Sequence, residues 1–380
     1  NYRGSRLIGL NNIELITDRP LKDNLREIEE VKKHFPHNAV VASLMVETKE
    51  QWHQIVKDVQ NAGADGIELN FGCPHGMCER GMGSAVGQEP EVLKTIVGWV
   101  KEVAKIPVIV KLTPNISDIT EPAIAAKQGG GDAISLINTI QSLIGVDIDK
   151  FVPYPSVDGK STNGGYCGPA VKPIALNMVK NCAQHSDVNL PISAIGGIEN
   201  WRDAVEFILL GATNVQVCTA VMHFGFGIIR ELIPGLENYM KEKEFKNLDE
   251  MRGKALQNVL TWENLNLKYK VVADINKDKC IECQLCYIAC EDGAHQAIGL
   301  KEGSRIPYII EENCVGCNLC SLICPVESCI TMVRKDDGKE KITWHERTEK
   351  GDIPTTFNDK LAGGIHHRIP EPATALKKKR

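Results

Sequence analysis

The chain has 380 residues, 43% apolar and 24% charged, an ordinary globular composition with room for two domains that each bury a core. A net charge of −5 provides no basic face for nucleic acid or for an anionic membrane, and no apolar run is long enough to span a bilayer. What composition leaves to be explained is 14 cysteines.

In chain order, six short β-branched runs are expected as strands: residues 40–45, 66–71, 107–112, 133–138, 191–196 and 215–220. Each is nearly continuous in apolar residues, as in parallel strands covered on both faces. Helical periodicity fills 49–62, 89–104 and 201–210. Strand alternating with helix predicts an α/β fold. The excess length falls after strands, at 72–87 and 139–171, where a (β/α)8 TIM barrel builds its active site. A barrel needs eight strands and six are recognisable. The expectation is a barrel whose first two strands precede Asn1, with an open sheet as the alternative.

Several residues at the strand ends can do chemistry. Cys73 follows the run 66–71 and opens a loop containing Gly72, Gly76, Gly81 and Gly83, the composition of a mobile lid. A rim thiol can donate or accept a proton, whereas a free cysteine is more commonly inert and buried. Cys78, on the same loop, is the weaker candidate. Lys111 ends a buried run, and its charge needs a partner such as an anionic flavin edge. Asn138 and Thr139 offer an amide and a hydroxyl, or simply cap a turn. Gly196-Gly197 and Cys218-Thr219 end the last two runs, where backbone N–H groups can approach a phosphate. No G-x-G-x-x-G follows a strand, so nicotinamide electrons are expected to enter through another protein.

Eight cysteines near the C-terminus carry the sharpest signal. They read Cys280-x-x-Cys283-x-x-Cys286-x-x-x-Cys290 and Cys314-x-x-Cys317-x-x-Cys320-x-x-x-Cys324-Pro325. This is the spacing that binds [4Fe–4S] clusters, with the fourth cysteine of each run reaching the other cluster. One cluster then takes Cys280, Cys283, Cys286 and Cys324, and the second takes Cys314, Cys317, Cys320 and Cys290. A pair of zinc knuckles is the alternative, but a zinc site draws its four ligands from one local unit. Oxygen-sensitive clusters point to a reducing, cytoplasmic setting. The expected organisation is a barrel over 1–240, a helical linker over 241–275, a small α+β ferredoxin-like domain over 276–335 and a polar tail over 336–380.

The strings Asn12-Ile13-Glu14-Leu15-Ile16, Gly66-Ile67-Glu68-Leu69-Asn70, Cys73-Pro74-His75-Gly76-Met77, Lys111-Leu112-Thr113-Pro114-Asn115, Ile137-Asn138-Thr139 and Gly196-Gly197-Ile198 resemble the dihydropyrimidine dehydrogenases. Barrel followed by two-cluster domain is similar to the catalytic subunit of the bacterial NAD-dependent enzymes. Dihydroorotate dehydrogenases share the barrel but usually lack the fused cluster domain. The resemblance implies reduction of the 5,6 double bond of uracil or thymine. It implies FMN held by Lys111, Gly168, Gly196, Gly197, Cys218 and Thr219. Asn12, Glu14, Asn70, Asn138 and Thr139 would bind the pyrimidine edges. Cys73 would be the general acid that protonates ring carbon C5 while hydride from the flavin reaches C6. It also implies an FAD- and NAD-binding partner subunit that delivers electrons from NADH, with this subunit a homodimer inside a heterotetramer. The sequence departs from the family in lacking two strands before Asn12 and in carrying Phe71-Gly72 where relatives have a Leu-Ser pair. A dihydroorotate-type reductase and a non-catalytic electron-transfer subunit are the alternative readings.

Overall fold

The structure, a computed structural model, describes residues 7–13, 19–74, 81–266, 269–293, 295–336, 338 and 342–351. It divides into two compact units, one ending at Val259 and the other beginning at Leu260. No helix among the described residues is long and apolar enough to cross a membrane.

The first unit opens with β1 (Leu10–Asn12). Strands β2 (Val41–Leu44), β3 (Gly66–Phe71), β4 (Val108–Leu112) and β5 (Ala133–Leu136) follow, separated by helices. Then come β6 (Ile140–Ser142), a hairpin of β7 (Gly145–Asp147) and β8 (Val152–Tyr154), and β9 (Gly164–Cys167). Strands β10 (Ile192–Ile195) and β11 (Asn214–Gln216) end the series. One parallel sheet runs β2-β3-β4-β5-β10-β11. With its flanking helices this is an incomplete (β/α)8 barrel.

One face of each strand packs under the helices. Ile67, Leu69 and Phe71 of β3 and Val108, Val110 and Leu112 of β4 are buried in one core. Against them lie Trp52, Val56 and Val59 of helix Lys49–Asn61, and Leu93, Ile96, Val97 and Val100 of helix Pro90–Lys101. The spacing of these apolar residues gives each helix a single apolar stripe. Full burial of a side chain such as Leu93 contributes roughly 1.5–3 kcal/mol. The helices start where local chemistry sets them: a capping box of Thr48 and Gln51, Pro90 in the first turn, and a capping box of Asn200 and Asp203 ahead of helix Trp201–Leu209.

The opposite face is polar, contrary to the expectation of strands apolar on both faces. Register partners across five strands form a row: Asn70, Lys111, Ser135, Ser193 and Asn214. A period of two sends all of them to the inner face, together with Glu68 of β3.

Two further differences from expectation affect the site. The stretch 139–171 holds strands, and β1, β9 and β6 form a separate antiparallel sheet. The last strand ends at Gln216, and a helix starts at Thr219 (Thr219–Phe224) where the sequence pattern extends the strand to 220.

In the second unit β12 (Lys270–Ile275), β13 (Ile298–Leu300), β14 (Pro307–Ile309) and β15 (Ile330–Lys335) make two antiparallel pairs, β12 with β15 and β13 with β14. Its core contains Ala273, Ile298 and Ile330 together with Cys286, Cys320 and Cys329. The two cysteine runs wind alike. Positive φ occurs at Glu282 (58°) and Gln284 (63°) in the first, and at Gly316 (72°) and Asn318 (66°) in the second, at matching positions. Each Gln284 or Asn318 turn leads into a short helix, Leu285–Asp292 or Leu319–Ile323, carrying the third cysteine of its run.

Candidate active site

A cavity of about 400 Å³ opens at the C-terminal ends of β4, β5, β10 and β11. That is within the range of small-molecule and cofactor sites. Its lining includes Asn12, Lys111, Asn138, Thr139, Gly168, Gly196, Gly197, Cys218 and Thr219, nine of the residues singled out in the sequence. Asn70 adjoins this group through Asn138. Glu14, Gly76 and Cys78 lie outside the described residues.

Three glycines bring bare backbone to the wall. Gly168, Gly196 and Gly197 have φ of +99°, +142° and +76°, a region that L side chains rarely adopt. A Cβ at Gly197 would sit 2.8 Å from the Gly168 carbonyl oxygen. The chain ends of β9 and β10 therefore meet with no side chain between them, the kind of cradle that lets backbone N–H groups reach a phosphate or a flat ring. Cys218 precedes and Thr219 begins the helix Thr219–Phe224, whose first N–H groups have no intrahelical partner.

The amide-bearing residues are tied together. Asn138 Nδ2 donates to Asn70 Oδ1 at 2.8 Å, and Asn138 Oδ1 accepts from Thr139 N at 2.7 Å. Asn115, from the loop after β4, donates to the Thr139 carbonyl at 3.2 Å and accepts from Gln141 N at 2.8 Å. Asn12 joins the wall because β1 pairs with β9, setting Asn12 opposite Gly165.

Lys111 pairs inside the protein, a contact that the sequence did not anticipate. Its Nζ lies 3.1 Å from Glu68 Oε1, and Glu68 is buried. Glu68 Oε2 accepts from Ser135 Oγ and Gln216 Nε2, each at 2.9 Å. Glu68, Gln216 and Asn11 went unnoticed in the sequence. Glu68 alone had a signal, as the single charge in an apolar strand. Asn11 lines the cavity, and its buried Nδ2 lacks a hydrogen-bond partner among the described residues. Cys167 lines it too, and burial pushes that thiol upward.

Cys73 does not line the cavity among the described residues. It is buried against Met45 and Met82, and its carbonyl accepts from Ser84 N at 3.0 Å. Its neighbour Gly72 touches the cavity wall, since a Cβ there would collide with the side chain of Asn138.

In the second unit the eight cysteines gather in two sets. Cys280, Cys283, Cys286 and Cys324 line one small apolar cavity, together with Cys329 from outside the runs, and Cys290, Cys314, Cys317 and Cys320 line the other. The fourth cysteine of each run thus faces the first three of the other. Burial pushes Cys286 up to about 11, a thiol that ionises when metal replaces its proton. Backbone N–H groups already point at sulfur: Ala297 N is 3.2 Å from Cys290 Sγ and Glu282 N 3.4 Å from Cys280 Sγ. Among the described residues no three His, Cys, Asp or Glu side chains converge on a point that could hold a single metal ion. Each void draws thiols from both runs, the crossed pattern of a two-cluster domain, whereas a zinc site takes its four ligands from one local unit.

Comparison with known proteins agrees with this geometry. Residues 8–240 match the dihydroorotate dehydrogenase family model, and residues 273–332 match a 4Fe-4S dicluster domain. The NAD-dependent dihydropyrimidine dehydrogenase subunit PreA of Escherichia coli K12 is 44% identical over 326 residues, covering 86% of this chain and 79% of that protein. The catalytic subunit of dihydroorotate dehydrogenase B (NAD(+)) from Pyrococcus abyssi is 41% identical over 233 residues, 61% of this chain and 73% of that one. A crystal structure of dihydroorotate dehydrogenase from Eimeria tenella with ferulenol has the same fold, at a TM-score of 0.50 and 20% identity over 62% of this chain and 67% of that one. The chain belongs to the dihydroorotate dehydrogenase family, carries a 4Fe-4S dicluster domain C-terminal in sequence to its barrel, and is an oxidoreductase of the dihydroorotate and dihydropyrimidine dehydrogenase type.

Proposed function

We propose that this chain reduces the 5,6 double bond of uracil or thymine, with electrons reaching an FMN in the barrel through two [4Fe–4S] clusters. The observation that carries the reading is one cavity that gathers a glycine-backbone cradle, a lysine and a tied set of amides. FMN, when bound, exchanges hydride with the pyrimidine ring. Gly168, Gly196, Gly197, Cys218 and Thr219 hold its phosphate and ring, and Lys111 presents its ammonium N–H groups to the ring edge. Asn12, Asn70, Asn138 and Thr139 orient the pyrimidine through its carbonyl and N–H groups, and Glu14 is assigned to the same edge by resemblance.

Reduction of the double bond adds one hydride and one proton, and the Cys73 thiol supplies the proton. Support comes from its position, next in the chain to Gly72, which abuts Asn138 of the cavity wall. Each cluster takes the first three cysteines of one run and the fourth of the other, which line one void; Cys329, which also lines the first void, belongs to neither run. A partner subunit with FAD oxidises NADH and feeds the clusters. We infer an assembly of two copies of each subunit, in keeping with the word subunit in the name of the Escherichia coli relative.

The test is anaerobic turnover of uracil by the full-length chain with its partner and NADH. Dihydrouracil formation that needs both proteins supports the reading. The 41% identity to a dihydroorotate dehydrogenase subunit favours a second reading, a reductase of that type. Turnover of orotate or dihydroorotate without turnover of uracil would establish it instead.

A further inference from the structure

Glu68 is a buried carboxylate for which the proposed chemistry has no use. Its surroundings are specific. Oε1 meets the ammonium of Lys111 at 3.1 Å, and Oε2 accepts from Ser135 Oγ and Gln216 Nε2. Gln216 Nε2 also reaches Ser193 Oγ at 2.9 Å. The carboxylate is thereby gripped by donors from three strands, β4, β5 and β11. Lys111 lines the cavity; Glu68 does not. Its side chain is 17% exposed against 9% for Glu68, so both charges are largely withdrawn from water.

We infer that Glu68 is the positioning residue for Lys111: it fixes the ammonium at the cavity wall and cancels its charge, so that Lys111 contributes an oriented ion pair to the site instead of a free cation. This rests on the reading of the cavity as an FMN site. The physical consequence is electrostatic. Reduction adds negative charge to a flavin ring, and an uncompensated cation beside it favours the reduced form, whereas a neutral pair favours it less. Burial strengthens this effect, because solvent screens a withdrawn pair poorly. Glu68 therefore sets the flavin potential through Lys111 without touching the flavin.

The test uses full-length protein with its clusters, as wild type, Glu68→Gln, Lys111→Gln and the double variant. The readouts are FMN content, FMN affinity and the two-electron flavin midpoint from anaerobic spectroelectrochemistry. Glu68→Gln keeps the shape and leaves the ammonium uncompensated, and it is expected to favour reduction about tenfold, a rise of about 30 mV for a two-electron couple. Lys111→Gln leaves the carboxylate uncompensated and shifts the midpoint by a similar amount the other way. The double variant removes both charges and returns the midpoint close to wild type. Replacing both partners also avoids a buried lone charge, so this variant remains informative if a single one folds poorly.

A purely structural Glu68 predicts something else: lower thermal stability in Glu68→Gln with an unmoved potential, and a double variant that titrates like Lys111→Gln. Either result overturns the inference while FMN binding stands. A wild-type protein that binds no FMN overturns the cavity reading, and this inference with it.

Discussion

Asn138 Nδ2 donates to Asn70 Oδ1 at 2.8 Å, joining the end of β3 to the segment just past β5 across the intervening β4. The bond uses one of the two N–H donors of Asn138 and one acceptor position of Asn70. Because Thr139 N occupies Asn138 Oδ1, the orientation of the Asn138 amide is fixed by its neighbours before any ligand arrives. Pre-set amides cost a bound pyrimidine less ordering than mobile ones. Gly72 makes the arrangement possible, as the Asn138 side chain fills the space that a Cβ at position 72 would need.

Gly72→Ser tests that packing. The added Cβ pushes Asn138 aside and breaks its bond to Asn70, a loss of about 1 kcal/mol for a neutral hydrogen bond. The expected outcome is a KM for uracil raised several-fold with FMN content unchanged. An unaltered KM would mean that the Asn138 amide does not meet the substrate.

On the proposed role of Cys73, its alanine variant loses about 10²–10⁴ in kcat, the usual contribution of a positioned general acid. FMN and cluster absorbance are expected to stay at wild-type levels, since the thiol packs against Met45 and Met82 rather than in the cavity. Full turnover in the variant would remove Cys73 from the mechanism.

The strands were legible because burial writes them as apolar runs: β3 reads as Ile67, Leu69 and Phe71 whichever residues face the other way. The polar inner row was only half legible. Lys111 stood out as a charge, but Ser135 and Ser193 are small residues whose meaning appears once register sets them beside each other. The sheet of β1, β9 and β6 was not legible. Leu10 pairs with Cys167 across more than 150 positions, and Gly164-Gly165-Tyr166-Cys167 has the look of a turn. The two cysteine groupings follow the spacing of the runs, but Cys329, which lines the same cavity as Cys280, Cys283, Cys286 and Cys324, stands outside both runs and carried no such signal.

Crossing of the two cysteine runs makes a further prediction. Cys290 shares its cavity with Cys314, Cys317 and Cys320, and none of those lies in its own run. Cys290→Ser is expected to alter or abolish the electron paramagnetic resonance signal of the cluster built on the second run. The cluster on Cys280, Cys283 and Cys286 keeps its signal and its potential. Loss of the first-run signal instead would show that each run closes on itself.

Cys182 gives a prediction about alkaline stability. It lies on the inner side of helix Lys172–Gln184, 1% exposed, and burial with the Asp118 carboxylate nearby pushes its thiol from 9.0 to about 12. The folded chain holds this proton more tightly than the unfolded chain does. Below pH 9 both states are protonated and the shift has no cost. Between pH 9 and 12 only the unfolded state releases the proton, so stability falls as pH rises, by at most about 1.4 kcal/mol per unit. From pH 8 to pH 10 the loss from this one group is about 1.4 kcal/mol. Cys182→Ala lacks the thiol and pays a fixed cavity cost at both pH values. Urea unfolding followed by tryptophan fluorescence is therefore expected to show the wild-type advantage over the variant shrinking by about that amount between pH 8 and pH 10. All other titrating groups are common to both proteins and cancel in the comparison. A constant gap would mean that the Cys182 thiolate is accommodated in the folded barrel, and that the apolar packing around helix Lys172–Gln184 is looser than its burial implies.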